Sequence, residues 1–321
     1  MSAVDVAPAV SAGVSALQLL AAGFGGPLLY GFMAKVRARA EGRAGAPVWQ
    51  PLADLRKLFA KERIHADHAS IVLPLAPLVL VASTAVAIAI APLISTGPAF
   101  ERTSDAFAIV FLLLLGSVGV ALAGLDAGTA FGGMGASRAM TIGALAEPAL
   151  LVAVLALSLQ AGTSNLPRII SATLAHPQWM ASPERVLALF ALLIVVFAET
   201  GRIPVDNPAT HLELTMVHEA MVLEYAGPEL ALIVLGGAMR LGLLVSLVAN
   251  LFFPWGIAVT ASIPHLAAGL AVLGAKTAVI GAVIAIGEVS MAKLRLFRIP
   301  EILSGAFVLA VLAVVTGLAG S

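Results

Sequence analysis

Apolar runs occupy 10–33, 71–95, 106–125, 139–160, 185–199, 228–253, 265–288 and 302–320, with little chain between them. Each is near the ~20 residues that a helix needs to cross the hydrocarbon core of a bilayer. The expectation is an all-α polytopic membrane protein with about eight transmembrane helices, a single membrane domain over 1–321. Composition agrees: with 60% hydrophobic and 11% charged residues and a mean hydropathy of +1.03, a water-soluble fold could not hide its apolar surface.

A formal net charge of zero argues against nucleic acid or a strongly charged partner, so only the local placement of charge is informative. Cysteine is absent, which excludes disulfides and thiolate metal sites in this chain and places any iron-sulfur chemistry in another subunit. The first apolar stretch lacks the charged flank of a cleavable signal and reads as a retained span.

Eight spans put both termini on one side of the membrane. The odd-numbered loops carry Lys35, Arg37, Arg39, Arg43, Arg56, Lys57, Lys61, Arg63, Arg138, Arg202, Lys293, Arg295 and Arg298, whereas the even-numbered loops carry Arg102, Arg168 and Arg185. That excess places the odd loops in the cytoplasm and both termini outside it, in the plasma (inner) membrane of a cell. In loop one, Leu52, Leu55, Leu58 and Phe59 recur at helical spacing against Asp54, Lys57 and Lys61, the pattern of an amphipathic helix lying in the interface. The fifth loop runs against the basic trend, with Glu199, Asp206, Glu213, Glu219, Glu224 and Glu229 around a lone Arg202. If 210–224 is one helix, Glu213 and Glu224 fall on one face about 16 Å apart, with His211 and His218 opposite. Such carboxylates either form a proton-exchanging row or lie in a solvated loop. His218-Glu219 lacks a second histidine four residues on, so it is not a zinc-protease motif.

Glu147, Arg240, Lys276 and Glu288 lie in or beside apolar runs. Each would cost about 2.5–3.5 kcal/mol at the bilayer centre, so each needs a partner, water or a function. Glu147, a third of the way into its run, is the best single candidate for a proton relay. Arg240 and Glu288 have an alternative as interfacial or structurally paired groups. The glycines of AFGGMGASR lack the flanks of a nucleotide-binding unit and read instead as a tight turn, close to a neighbouring subunit, with Arg138 available to a carboxylate outside this chain. No nucleophile motif is present.

Four segments carry a resemblance: ARAEGRAGAPVWQPLADLRKLFAKE, FGGMGASRAMTIGALAEPALL, FAETGRIPVDNPATHLELTMVHEAMVLEYAGPELAL and GEVSMAKLRLFRIPE. They resemble the complex I subunit 1 family, found in respiratory NADH-quinone oxidoreductase and in membrane-bound NiFe hydrogenases. The last three look more like the hydrogenase branch, of the formate hydrogenlyase type. The resemblance covers nearly the whole chain. It implies a membrane-anchoring, proton-coupling subunit with no redox cofactor of its own, the NiFe centre and iron-sulfur clusters being in partner subunits. Those partners would be homologues of the hydrogenase large and small subunits and antiporter-like membrane subunits. By that analogy Glu147, Glu199, Glu213, Glu219 and Glu224 match an acidic proton pathway, with Asp126 near its cytoplasmic mouth. Lys276 and Glu288 would extend that pathway. Arg37, Arg39, Arg43, Asp54, Arg138 and Arg202 would dock the hydrogenase-like subunits. In the respiratory branch a quinone tunnel is formed here, so the quinone-site and proton-translocating subunit of an NADH-quinone oxidoreductase is the first alternative. A free-standing secondary ion transporter is the second, although no internal repeat supports it.

Overall fold

The computed structural model of the chain describes residues 8–64, 69–97, 103–203, 205–206, 217–260, 262–291 and 298–320. Its helices, in chain order, are α1 (Pro8–Ala40), α2 (Gln50–Phe59), α3 (Val72–Ile90), α4 (Ala106–Asp126), α5 (Ala130–Ala161), α6 (Leu166–Ala175), α7 (Pro183–Glu199), α8 (His218–Val222), α9 (Gly227–Phe252), α10 (Ile263–Ser290) and α11 (Ile299–Gly320), with a short 3-10 turn at Pro177–Ala181. The protein is all-α and multi-pass. Among the described residues seven helices are long and apolar enough to cross a membrane: α1, α3, α4, α5, α9, α10 and α11. The count of about eight included the run that becomes α7, which has 17 residues. At 1.5 Å per residue it is about 25 Å long, under the ~30 Å of a hydrocarbon core.

Helix starts follow local chemistry. The Asp105 carboxylate accepts from the amides of Phe107 and Ala108 at the start of α4, Thr129 caps α5 and Asn165 caps α6. α5 packs between α11, α7 and α4, and α1 packs against α9 and α10. α5 and α11 pack together, and each buries a row of small residues, Ala146, Ala149 and Ala153 on one helix and Ala306, Ala310 and Ala313 on the other. Small side chains at this spacing let two backbones approach, which is how helices gain packing energy in a solvent as apolar as themselves.

The AFGGMGASR segment is not the tight turn expected of it. The turn comes earlier, at Gly128 with φ 65°, and the glycines lie inside α5. Gly132 and Gly135 serve close approach within this chain: a Cβ at Gly135 would come 2.8 Å from Ala220 Cβ and 2.9 Å from Val217 O. Packing therefore overrides the low helix propensity of glycine here.

α2 is the amphipathic helix expected in loop one, with Leu55 buried and Arg56 and Lys57 exposed. Of the helix expected over 210–224, the described part is α8, while Glu213 and His211 lie outside the described residues. Tyr225 follows α8 and donates to Leu73 O at 2.7 Å, tying the segment to the start of α3. Burial pushes its phenol up, so the group stays a donor.

α3 ends at Ile90, Ala91 still donates to Ala87 O, and residues 92–94 run on without helical bonds while remaining buried. Side chains from two other helices satisfy the exposed backbone. Gln18 Oε1 accepts from the amides of Leu93 and Ile94 at 3.2 and 3.1 Å, and Asn250 Nδ2 donates to Pro92 O and Leu93 O at 3.1 and 2.8 Å. Non-helical backbone inside an apolar bundle survives only with such partners.

Candidate functional site: a charged cavity at the junction of α1, α7, α9 and α10

α7 ends at Glu199, and the chain reverses through Thr200 and Gly201, the latter with φ 58°, a left-handed conformation suited to glycine. The reversal folds tightly, since Arg202 N donates to Phe197 O at 3.0 Å, and Val205 N and Asp206 N both donate to Arg202 O. The turn aims Glu199 and Arg202 into the bundle at two different places.

Glu199 meets Arg240, the fourteenth residue of the 26 in α9. Both side chains are buried, and their ion pair is supported from α4, where Arg240 also donates to Ser117 Oγ at 2.6 Å and Leu113 O at 3.1 Å. The guanidinium thus faces one anion and two neutral acceptors, a desolvated charge matched on most of its donors. Its Nε has no partner among the described residues. Glu147, on α5, lies within electrostatic reach of both Glu199 and Arg240, and its carboxylate folds back toward Gly143 one turn earlier.

Arg202 meets Glu288 near the end of α10, donating to Oε1 at 2.8 Å, while Arg37 of α1 approaches Oε2 of the same carboxylate at 3.5 Å. The Arg202 guanidinium also stands over the Tyr30 ring, 5.3 Å from its centroid, a cation-π contact. Next along the chain, Asp206 accepts from His218 N at 3.2 Å, which pins the start of α8.

Between these pairs lies a cavity of about 400 Å³. Its wall includes both ion pairs, Arg37, Asp54, Asp206, His218 and Glu219, alternating with apolar side chains such as Leu55, Ile142 and Leu230. Arg202 Nε, like Arg240 Nε, is buried without a partner among the described residues. Two arginines with spare donors on a space of this size provide water or a polar head group with anchoring points. Among the described residues no three His, Asp or Glu side chains gather so as to hold a metal ion.

The structure brings together Glu199, Glu219, Glu288, Arg37, Arg202 and Asp54 on one cavity, with Glu147 beside it. It does not bring Asp126, Lys276 or Glu224 there. Asp126 caps α3 by accepting from Ser70 N and Leu73 N, and Lys276 bonds Asn250 Oδ1 at 3.3 Å. Arg39, in the last turn of α1, bonds Ala44 O, and Arg43, on the loop after it, pairs with Glu41, both exposed. Arg138 is part-exposed on α5. Arg202, expected at a docking surface, instead faces inward, 8% exposed. Ser117 and Tyr30 carry no sequence signal that would single them out, but Arg240, a cation in the middle of an apolar run, does.

One further buried charge was expected in a loop. Arg185, at the start of α7, is 1% exposed and is held by Gln160 Oε1 at 2.6 Å, Thr173 Oγ1 at 2.5 Å and Leu251 O at 3.1 Å. It locks the ends of α5, α6, α7 and α9 together, on the face away from the cavity.

Comparison with known proteins gives concordant matches. The family described as NADH dehydrogenase matches residues 14–318. Hydrogenase-4 component C of Escherichia coli (strain K12) is 35% identical over 294 residues, 92% of each chain. Formate hydrogenlyase subunit 4 of the same organism is 31% identical over 293 residues, covering 91% of this chain and 94% of that one. NADH-quinone oxidoreductase subunit 8 of Rhodothermus marinus is 29% identical over 208 residues, covering 64% of this chain and 60% of that one. Among solved structures, a chain of the membrane-bound sulfane sulfur reductase, an archaeal respiratory membrane complex, superimposes with a TM-score of 0.82 at 23% identity, over 95% of this chain and 98% of that one, which speaks for a shared fold.

Proposed function

The chain belongs to the NADH dehydrogenase (complex I subunit 1) family, and on that premise we propose that it is the membrane-anchoring and proton-coupling subunit of a hydrogenase complex of the formate hydrogenlyase type. In this reading it carries no redox cofactor. Homologues of the hydrogenase large and small subunits contain the NiFe centre and iron-sulfur clusters and dock on the cytoplasmic loops, where Arg39, Arg43 and Arg138 are arginines that the cavity does not draw in. Antiporter-like membrane subunits receive the protons. The two E. coli relatives that match nearly end to end carry hydrogenase and formate hydrogenlyase names, which supports this branch over the respiratory one.

The observation that carries the reading is the pairing of buried acids with arginines around one cavity, Glu199 with Arg240 and Glu288 with Arg202. Each buried carboxylate is held by its guanidinium, so a movement that lengthens either pair frees an acid for another partner, and shortening recaptures it. The turn between Glu199 and Asp206 joins both pairs and ends in the acidic loop that would sense the docked subunits. A shift of that turn between two positions would therefore free or recapture two acids together. Glu147, next to the Glu199–Arg240 pair, is the first acceptor on the way into the bundle.

Glu147→Gln in the intact complex tests this. Hydrogen-linked reduction of an artificial viologen acceptor should persist while ion transport in proteoliposomes disappears, and retained transport would remove Glu147 from the pathway.

The cavity favours one other reading. About 400 Å³ with a mixed polar and apolar wall is within the range of small-molecule sites, which suits a quinone head group in a subunit of NADH-quinone oxidoreductase type. Inhibitor-sensitive quinone reduction by the purified complex, without hydrogen activity, would select it.

A further inference from the structure

Lys276 stands apart from every charge of the cavity. It is the fourteenth of the 28 residues of α10, about 20 Å along the helix from either end. That is too far for its stem to carry the ammonium to the polar region beyond either end. Among the described residues its side chain donates to the neutral Asn250 Oδ1, at 3.3 Å, and Asn250 is committed through Nδ2 to the buried carbonyls of Pro92 and Leu93. No carboxylate among the described residues forms an ion pair with it. Lys276 is half-buried, its ammonium seated on this polar knot while the helix face it belongs to stays open.

The open side is the outward face of α10. Val279, Val283 and Ile286, three, seven and ten residues on, are all exposed and continue the stripe that starts at Lys276. α10 and α11 are the least covered of the later spans, 22% buried against 61% for α9. Lipid tails would satisfy the valines and the isoleucine, but they offer nothing to an ammonium inside an apolar helix. Phosphate head groups sit at the membrane surface, away from the middle of the helix. What fits both features is a second apolar helix with one acid facing Lys276.

We propose that the Lys276 face of α10 is an interface for a transmembrane helix of another membrane subunit, and that this helix presents an Asp or Glu to Lys276. The inference rests on the chain being part of a multi-subunit complex. The pair would form only on assembly, which makes Lys276 a determinant of which membrane subunit sits against α10.

The test uses the whole complex in mild detergent, with a photoreactive residue replacing Val279 or Val283 and the adducts mapped by mass spectrometry. The expected adduct is on a membrane helix with an acidic residue. Lys276→Glu should then lower recovery of that subunit at least tenfold, Lys276→Arg should retain it, and exchanging the mapped acid for lysine should restore recovery with Lys276→Glu. Adducts on lipid alone, or on a helix without an acid, would overturn the proposal, as would unchanged recovery with Lys276→Glu. If the Lys276→Glu chain fails to accumulate, the adduct map in the otherwise native complex still decides. An intact complex with only lipid adducts removes this inference alone, whereas a chain that purifies without any other subunit removes the proposed function with it.

Discussion

Arg202 and Glu288, 86 residues apart in the chain, meet at 2.8 Å with side chains only 9% and 2% exposed. The contact ties the turn after α7 to the end of α10, and Arg37 of α1 closes it from a third side. A buried pair of this kind is costly to break and cheap to replace as a unit, because the penalty lies in the charge left behind.

Arg202→Met is therefore expected to destabilise the protein by about 3 kcal/mol. Arg202→Met combined with Glu288→Leu should cost less than Arg202→Met alone, since Arg37, which is part-exposed, can turn to water. A double-mutant cycle on thermal unfolding of the detergent-solubilised complex measures this, and simple additivity would mean that the two side chains do not act as a pair.

The Glu199–Arg240 pair should respond unequally to loss of its two members. Arg240 keeps Ser117 Oγ and Leu113 O when Glu199 is neutralised, whereas Glu199 has Arg240 as its hydrogen-bonding partner among the described residues. Arg240→Met should thus lower the melting temperature more than Glu199→Gln does, a difference of about 2 kcal/mol in stability. The reverse order would place the support of this pair elsewhere.

Gly135 and Gly133, two residues apart in α5, make a matched test of close approach. A Cβ at Gly135 meets Ala220 and Val217, while one at Gly133 meets nothing within 4 Å. Gly135→Ala should cost about 1–3 kcal/mol through overpacking, and Gly133→Ala should gain about 0.5–1 kcal/mol through helix propensity. Amide hydrogen exchange of α8 should rise only in the Gly135 variant, because α8 is what the new methyl pushes against.

Arg185 should not tolerate lysine. Its three nitrogens reach Gln160, Thr173 and Leu251 in three directions, and one ammonium cannot replace that fork. Arg185→Lys is expected to lose nearly as much stability as Arg185→Met, and limited proteolysis of the α6–α7 connection should show the loosening.

Several features were legible before any coordinates. Apolar runs of spanning length gave the all-α, multi-pass class, since burying so much apolar surface in water is not feasible and the membrane is the alternative. Leu55 on one face and Lys57 on another gave the amphipathic α2, because a 3.6-residue period sorts side chains by solvent. Glu147, Glu199 and Glu288 stood out for the same reason that Arg240 and Lys276 did: a charge within or beside an apolar run requires an explanation wherever it sits.

What the sequence by itself determined, then, was everything that depends on transfer of a residue from water to lipid, a property of the residue and its near neighbours. Only the tertiary structure decided how each charge is compensated. Arg240 finds Glu199 41 positions away and Arg202 finds Glu288 86 positions away. Gly132 and Gly135 of α5 turned out to be packing surface against α4 and α8, and Arg185 turned out to be buried. Those outcomes depend on which helices pack side by side, and in an apolar bundle that is settled by the fit of side chains from distant segments, for which one-dimensional spacing has no signature.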